Sequence, residues 1–224
     1  MRLAIVLLAA ALVSPVAAQT QRADPQSAEA VARALQENYD RVRDFTADFV
    51  HRYQGVVLRQ TAVERGQLLV KKPGKMRWDY NAPERKLFVS DGRKLYSYLP
   101  QDKQVIVSDV PTEDHATTPA LFLTGKGNLL RDFTVSFGQA VDTLAGTTVL
   151  KLVPRRSEAE YDWLMLAVDP RSLQIRTLIT VDGQGGKSTF TFTNLKENVG
   201  LADKEFAFSM PRGVDVVADR AASQ

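Results

Sequence analysis

The apolar positions of this chain repeat with two different periods, and the change falls near residue 45. Upstream, Ala28, Val31, Ala32, Leu35, Tyr39 and Val42 recur at helical spacing, with Glu29, Arg33, Gln36, Glu37 and Asp40 between them. Ser27 supplies an N-cap, so the spacing predicts one amphipathic helix whose apolar stripe needs a cover. Downstream the period is two. Phe45, Ala47 and Phe49 alternate with Thr46, Asp48 and Val50, and Met76, Trp78 and Tyr80 alternate with Arg77 and Asp79. Leu87-Phe88-Val89 runs into Asp91-Gly92, a two-residue hairpin signal, and Leu95, Tyr96 and Tyr98 follow. Further strands are predicted over Gln104–Val110, Phe133–Phe137, Thr147–Val153, Trp163–Val168, Ile175–Val181 and Ser188–Asn194.

Turn clusters separate these runs, among them Lys72-Pro73-Gly74, Asn81-Ala82-Pro83, Asp169-Pro170 and Asp182-Gly183. The alternation lapses between Pro111 and Leu130. There Thr117-Thr118-Pro119 opens a short helical insert carrying Leu121, Phe122 and Leu123, which Gly125 and Gly127 stop. The order is helix, six strands, insert, then about five strands. This is an α+β chain, mainly β, with about 10–11 strands in one antiparallel sheet curved into a barrel or half-barrel.

Composition narrows the chemistry. The 224 residues contain no Cys and only two His, which removes disulfides, thiolate catalysis, Cys-based zinc sites and iron–sulfur clusters. His51 and His115 have no metal-ligand spacing, and no triad or paired carboxylates support an enzyme; no cofactor is expected. With 29 Lys+Arg against 26 Asp+Glu and no basic block, nucleic-acid binding is not expected either. Residues 1–18 read as a secretory signal peptide: Met1-Arg2, an apolar run from Leu3 to Val13, a break at Ser14-Pro15, and small residues at Val16-Ala17-Ala18. The run is too short for a membrane span, and no cysteine stands at the junction for lipid attachment. The expectation is a periplasmic monomer with a loose leader over 19–26, one domain over 27–217 and a tail over 218–224.

Several strands are apolar on both faces. Trp163, Met165 and Ala167 alternate with Leu164, Leu166 and Val168, while Leu150 and Leu152 alternate with Val149 and Val153. One face can pack against helices or the sheet's own curvature. The other takes a second sheet, or forms a groove for an apolar ligand.

The run from Gly66 through Lys72-Pro73-Gly74 and Met76-Arg77-Trp78-Asp79-Tyr80 to Pro83, followed by Val89-Ser90-Asp91-Gly92, resembles the signature stretch of the outer-membrane lipoprotein carrier family (LolA type). The closing segment, Glu205-Phe206-Ala207-Phe208-Ser209-Met210-Pro211-Arg212-Gly213-Val214, resembles that family's Phe-x-Phe-x-x-Pro-x-Gly-Val ending. The similarity runs over roughly residues 27–217. It implies an incomplete β-barrel under a helical lid. It also implies a periplasmic chaperone that takes triacylated lipoproteins from an ATP-driven inner-membrane release complex and hands them to an outer-membrane receptor.

On this resemblance the lid is the Ser27–Val42 helix, through Val31, Leu35 and Tyr39, with Leu121 and Phe122 of the insert. Met76, Trp78, Leu87, Val89, Leu95, Leu164 and Leu166 are candidates for the acyl-chain lining, although a one-residue slip in register inverts any choice of face. Family members often place Arg where Lys72 stands, hydrogen-bonded to lid carbonyls. Lys72 or Arg77 is therefore the candidate latch, and Lys lacks the planar fork of Arg. Alternatives are a carrier of another amphiphile such as a glycolipid, and a lipoprotein-sensing module, which is expected to need a second domain. A receptor of similar fold would need a lipidated cysteine.

Overall fold

The computed structural model describes residues 27–56, 61–110, 123–125, 127–139, 144–158 and 161–218. Helix α1 (Ala28–Arg41) begins where the sequence places it. Ser27 Oγ accepts from the Ala30 N–H at 3.1 Å, Glu29 lies in the first turn and Arg41 in the last, each complementing the helix dipole. Its buried stripe is Ala28, Ala32, Leu35 and Tyr39.

Twelve strands follow: β1 (Asp44–Gln54), β2 (Thr61–Lys71), β3 (Lys75–Ala82), β4 (Lys86–Asp91), β5 (Lys94–Leu99), β6 (Gln104–Asp109), β7 (Phe133–Phe137), β8 (Thr148–Pro154), β9 (Trp163–Val168), β10 (Ile175–Val181), β11 (Lys187–Glu197) and β12 (Asp215–Ala218). A four-residue helix, α2 (Leu129–Asp132), precedes β7, and a 3-10 turn covers Asp203–Phe206. The strands form one sheet in the order β12-β6-β5-β4-β3-β2-β1-β11-β10-β9-β8-β7, whose two edges do not pair, so the barrel stays open.

Aspartates fold the meander at the positions read as turns. Asp91 Oδ1 accepts from the Arg93 and Lys94 N–H groups, Asp169 Oδ1 from Arg171 and Ser172, and Asp182 Oδ1 from Gln184 and Gly186. One irregularity lies beside Gly66, where the β2–β3 register shifts and a Cβ would lie 2.2 Å from the Asp79 carbonyl oxygen. Only glycine permits that approach of two backbones.

The inner face, beneath α1, carries a broad apolar field: Phe45, Ala47 and Phe49 on β1, Leu68 and Val70 on β2, Met76, Trp78 and Tyr80 on β3, and Leu150, Leu152, Leu164, Leu166, Leu178 and Phe192 on the far half. The outer face of β3–β5 is covered by the chain after β11. Asp44 anchors that segment by accepting from the Gly200 and Leu201 N–H groups. Asp203 then bridges Lys71 and Lys75 at 2.7 and 2.9 Å, Phe206 is buried, and Phe208 stacks on Tyr96 at 4.9 Å. This strap delivers β12 alongside β6 in the same direction, so the last strand pairs parallel, a departure from the antiparallel expectation.

Candidate functional site

The site is the contact between α1 and the inner face, and it is built around the turn from β2 to β3. Lys72 Nζ donates to the Tyr39 carbonyl oxygen in the last turn of α1 and sits 3.7 Å from the centroid of the Tyr39 ring. The same carbonyl accepts from the Val42 N–H of the C-cap at 3.1 Å, so Lys72 adds a second donor at the negative end of the α1 dipole. The Tyr39 hydroxyl in turn donates to the Leu123 carbonyl oxygen at 2.5 Å. Gly74 N–H donates to the Thr124 carbonyl oxygen at 3.1 Å, and Ser90 Oγ holds the Gly74 carbonyl at 2.7 Å. Gly125 has φ +78°, and a Cβ there would come within 2.6 Å of Lys72 Cδ. One lysine stem thus lies between α1, the β2–β3 turn and the 123–125 segment, tying the three together.

Burial drives the Lys72 ammonium down from its ordinary 10.5 to about 8, against the pull of the Asp40 and Glu197 charges. Burial also pushes the Tyr39 phenol up. The tether therefore works with a cation that its own surroundings disfavour, and its neutral amine still carries N–H donors for the carbonyl.

Among the described residues, two small apolar voids lie between the helices and the sheet. One of about 20 Å³ is bounded by Tyr39, Phe45, Leu123, Leu173, Ile175, Phe192 and Leu195, with Gln174 and Glu197 at its rim. The other, about 10 Å³, lies among Leu123, Leu129, Phe133, Leu152, Leu164, Leu166 and Leu178. Spaces of this size hold a single water at most. A chain-like guest entering these two spaces would displace α1 and the 123–125 segment from the sheet.

The lining candidates divide between two faces. Met76, Trp78, Leu164 and Leu166 are buried on the inner face, and Leu95 packs partly buried beside them. Leu87 and Val89 do not join them. Trp78 pairs with Phe88 and Met76 with Ser90, so Val89 stands opposite Arg77 and Leu87 opposite Asp79, all on the outer face. Val89 is fully buried there, on a strand against which the 3-10 turn packs. Arg77 is corrected by the same register. Its guanidinium reaches the Glu205 carbonyl oxygen and the Asp79 carboxylate, each at 3.4 Å, turned away from α1.

Leu35 and Tyr39 lie on the buried stripe of α1, with Val31 partly buried against the core. Leu121 and Phe122 fall outside the described residues. Sequence reasoning missed α2, whose signal was Asn128: its Oδ1 accepts from the Leu130 and Arg131 N–H groups. It also passed over Leu123 as a wall of both voids. The two-residue alternation of Phe45, Ala47 and Phe49 on β1 was the signal for the inner wall.

An open, curved sheet with a largely apolar inner face and a tethered helical cover defines a half-barrel that can enclose apolar chains. A family model described as "Outer membrane lipoprotein carrier protein LolA" matches residues 40–209. An outer-membrane lipoprotein carrier protein of Pseudomonas paraeruginosa is 32% identical over 169 residues, 74% of this chain and 75% of that one. One from Methylococcus capsulatus is 32% identical over 181 residues, 81% and 84% of the two chains. Among solved structures, an uncharacterized conserved protein from Thermus thermophilus shares the fold with a TM-score of 0.54 at 13% identity, over 87% of this chain and all of that one. This chain belongs to the outer-membrane lipoprotein carrier family. Among the described residues, no helix is long and apolar enough to cross a membrane, and no group of His, Asp and Glu could hold a metal.

Proposed function

We propose that the protein is a periplasmic carrier that encloses the acyl chains of lipoproteins against the inner face of its half-barrel. On this reading it receives triacylated cargo from an ATP-driven release complex in the inner membrane and passes it to a receptor at the outer membrane. The observation that carries the proposal is the closed helix–sheet contact: an apolar face collapsed onto α1 with voids of about 10 and 20 Å³, held at one end by Lys72.

Energetics set the direction of traffic. Burial in a bilayer is worth about 0.8 kcal/mol per CH₂, so three chains of roughly fifteen carbons represent about 35 kcal/mol. Non-covalent affinity saturates near about 20 kcal/mol. The carrier therefore cannot extract cargo alone and needs an energised donor. It also holds chains less well than a membrane, which leaves delivery downhill. The cover contributes by competing: α1 and an acyl chain bury the same surface, so part of the binding energy is spent in displacing the helix and returns at release.

The test is purification of the intact carrier from periplasm, followed by mass spectrometry of what remains bound. Acylated lipoprotein is the expected finding. Free glycolipid alone would refute lipoprotein carriage and make the protein a carrier of another amphiphile.

A further inference from the structure

A second polar constellation stands on the inner face, at the strand ends away from Lys72. His51 on β1 pairs with Glu64 on β2, and Lys86 on β4 pairs with Tyr80 on β3. Glu64 joins them: Oε2 lies 3.2 Å from His51 Nδ1 and Oε1 lies 2.5 Å from Lys86 Nζ. The imidazole stacks on Phe190 with centroids 4.1 Å apart and planes 6° from parallel, and Tyr80 meets it edge-on at 6.2 Å.

The carboxylate has two partners, and the imidazole has one. His51 Nε2 is out of contact with solvent and has no hydrogen-bond partner among the described residues. Burial lowers the His51 pKa below its ordinary 6.5, although Glu64 opposes the shift, so the ring is neutral near pH 7. With an ionised carboxylate at Nδ1, that nitrogen carries the hydrogen and Nε2 presents a lone pair. A buried acceptor without a donor is costly, and native structures rarely keep one without a use. Here the ring is fixed by stacking and by Glu64, so little ordering remains to be done when a donor arrives.

We propose that His51 Nε2 accepts a hydrogen bond from the acyl-amide N–H at the polar end of the cargo, the group that joins a fatty acyl chain to an amino terminus. This rests on the acyl-carrying function proposed above. Ester junctions of an acylated molecule offer only acceptors, and the neighbouring cation Lys86 is already held by Glu64. An amide N–H supplies the missing donor. The hydroxyls of a glycolipid are the other source of such a donor at an acyl junction. A site that hydrogen-bonds a ligand N–H discriminates against the analogue lacking it, because its own buried group is left unpaired.

The experiment displaces a fluorescent fatty acid from the full chain with a synthetic tripalmitoyl-cysteinyl peptide and with its analogue methylated at the acyl-amide nitrogen. Both carry the same apolar load, and the comparison needs no mutation. The unmethylated peptide should bind about 5–10-fold more tightly, the value of one net hydrogen bond. In His51→Phe, which keeps the stack on Phe190, that preference should vanish. A preference that persists in His51→Phe is steric and overturns the assignment, as does equal binding of the two peptides by the unmutated protein; acyl carriage survives both results. Dependence on His51 for a diacyl glucoside but not for the peptide would overturn the amide in favour of a hydroxyl. If neither peptide displaces the probe, this inference and the carrier function fall together.

Discussion

Replacing Lys72 by Met tests whether the cover is held by a single side chain. Methionine keeps an unbranched stem of similar length beneath Gly125 and removes the donor to the Tyr39 carbonyl. A charged donor on a carbonyl is worth about 1.5–3 kcal/mol, and a cation over an aromatic ring adds about 0.5–1 kcal/mol near a surface. Burial of the half-exposed ammonium takes part of this back, as its lowered pKa of about 8 shows. We expect a net loss of about 1–2 kcal/mol, which is about a 5–30-fold increase in opening of α1. Native-state amide exchange reads this directly. Protection should fall in α1 while the β1–β2 ladder stays unchanged, because the sheet does not depend on the tether.

The same lysine fixes the sign of a pH dependence. Its pKa is about 8 when closed and returns towards 10.5 when solvated, so opening takes up a proton between those values. The open form binds more protons, and opening therefore becomes less favourable as pH rises from 8 to 10.5 and is flat below 8. After correction for intrinsic exchange rates, α1 should be better protected at about pH 9.5 than at about pH 7.5, and Lys72→Met should lose that slope. Equal protection of α1 in the two proteins would refute the tether.

Two further substitutions separate the faces of the sheet. Gly66→Ala forces a Cβ to within 2.2 Å of the Asp79 carbonyl oxygen and 2.7 Å of Phe49 Cζ, so β2 must shift; we expect destabilisation of about 1–3 kcal/mol or more in urea unfolding. Phe206→Ala empties a fully buried position of the outer strap and should cost about 3–5 kcal/mol. Under folding conditions its affinity for an acylated peptide should match the unmutated protein, because Phe206 belongs to the outer face; a selective loss of binding with unchanged stability would contradict that division.

Local features were readable because they rest on neighbours in the chain. The Ser27 cap, the stripe of α1, the Asp91, Asp169 and Asp182 turns and the change of period near Phe45 all follow from residues within four positions of each other. β2 was obscured because Leu68-Leu69-Val70 is continuously apolar, although only Leu68 and Val70 are buried, and its first residues are exposed. Lys72 was legible as a latch candidate because it directly precedes Pro73 in the family's signature turn.

The sequence by itself thus determined α1, most of the strands, the curved sheet and the need for a cover. It could not determine which alternating set faces that cover, because period two is unchanged when one strand slides by a residue. The β3–β4 register decided it, turning Leu87, Val89 and Arg77 outward while Met76 and Trp78 face α1. Tertiary structure also decided that the outer apolar patch is covered by the strap ending in a parallel β12. Finally, it gathered His51 and Lys86 around Glu64, from which they lie 13 and 22 residues away in the chain, into one cluster. Strand pairing joins positions through hydrogen bonds between distant backbones, and no local pattern of side chains records that choice.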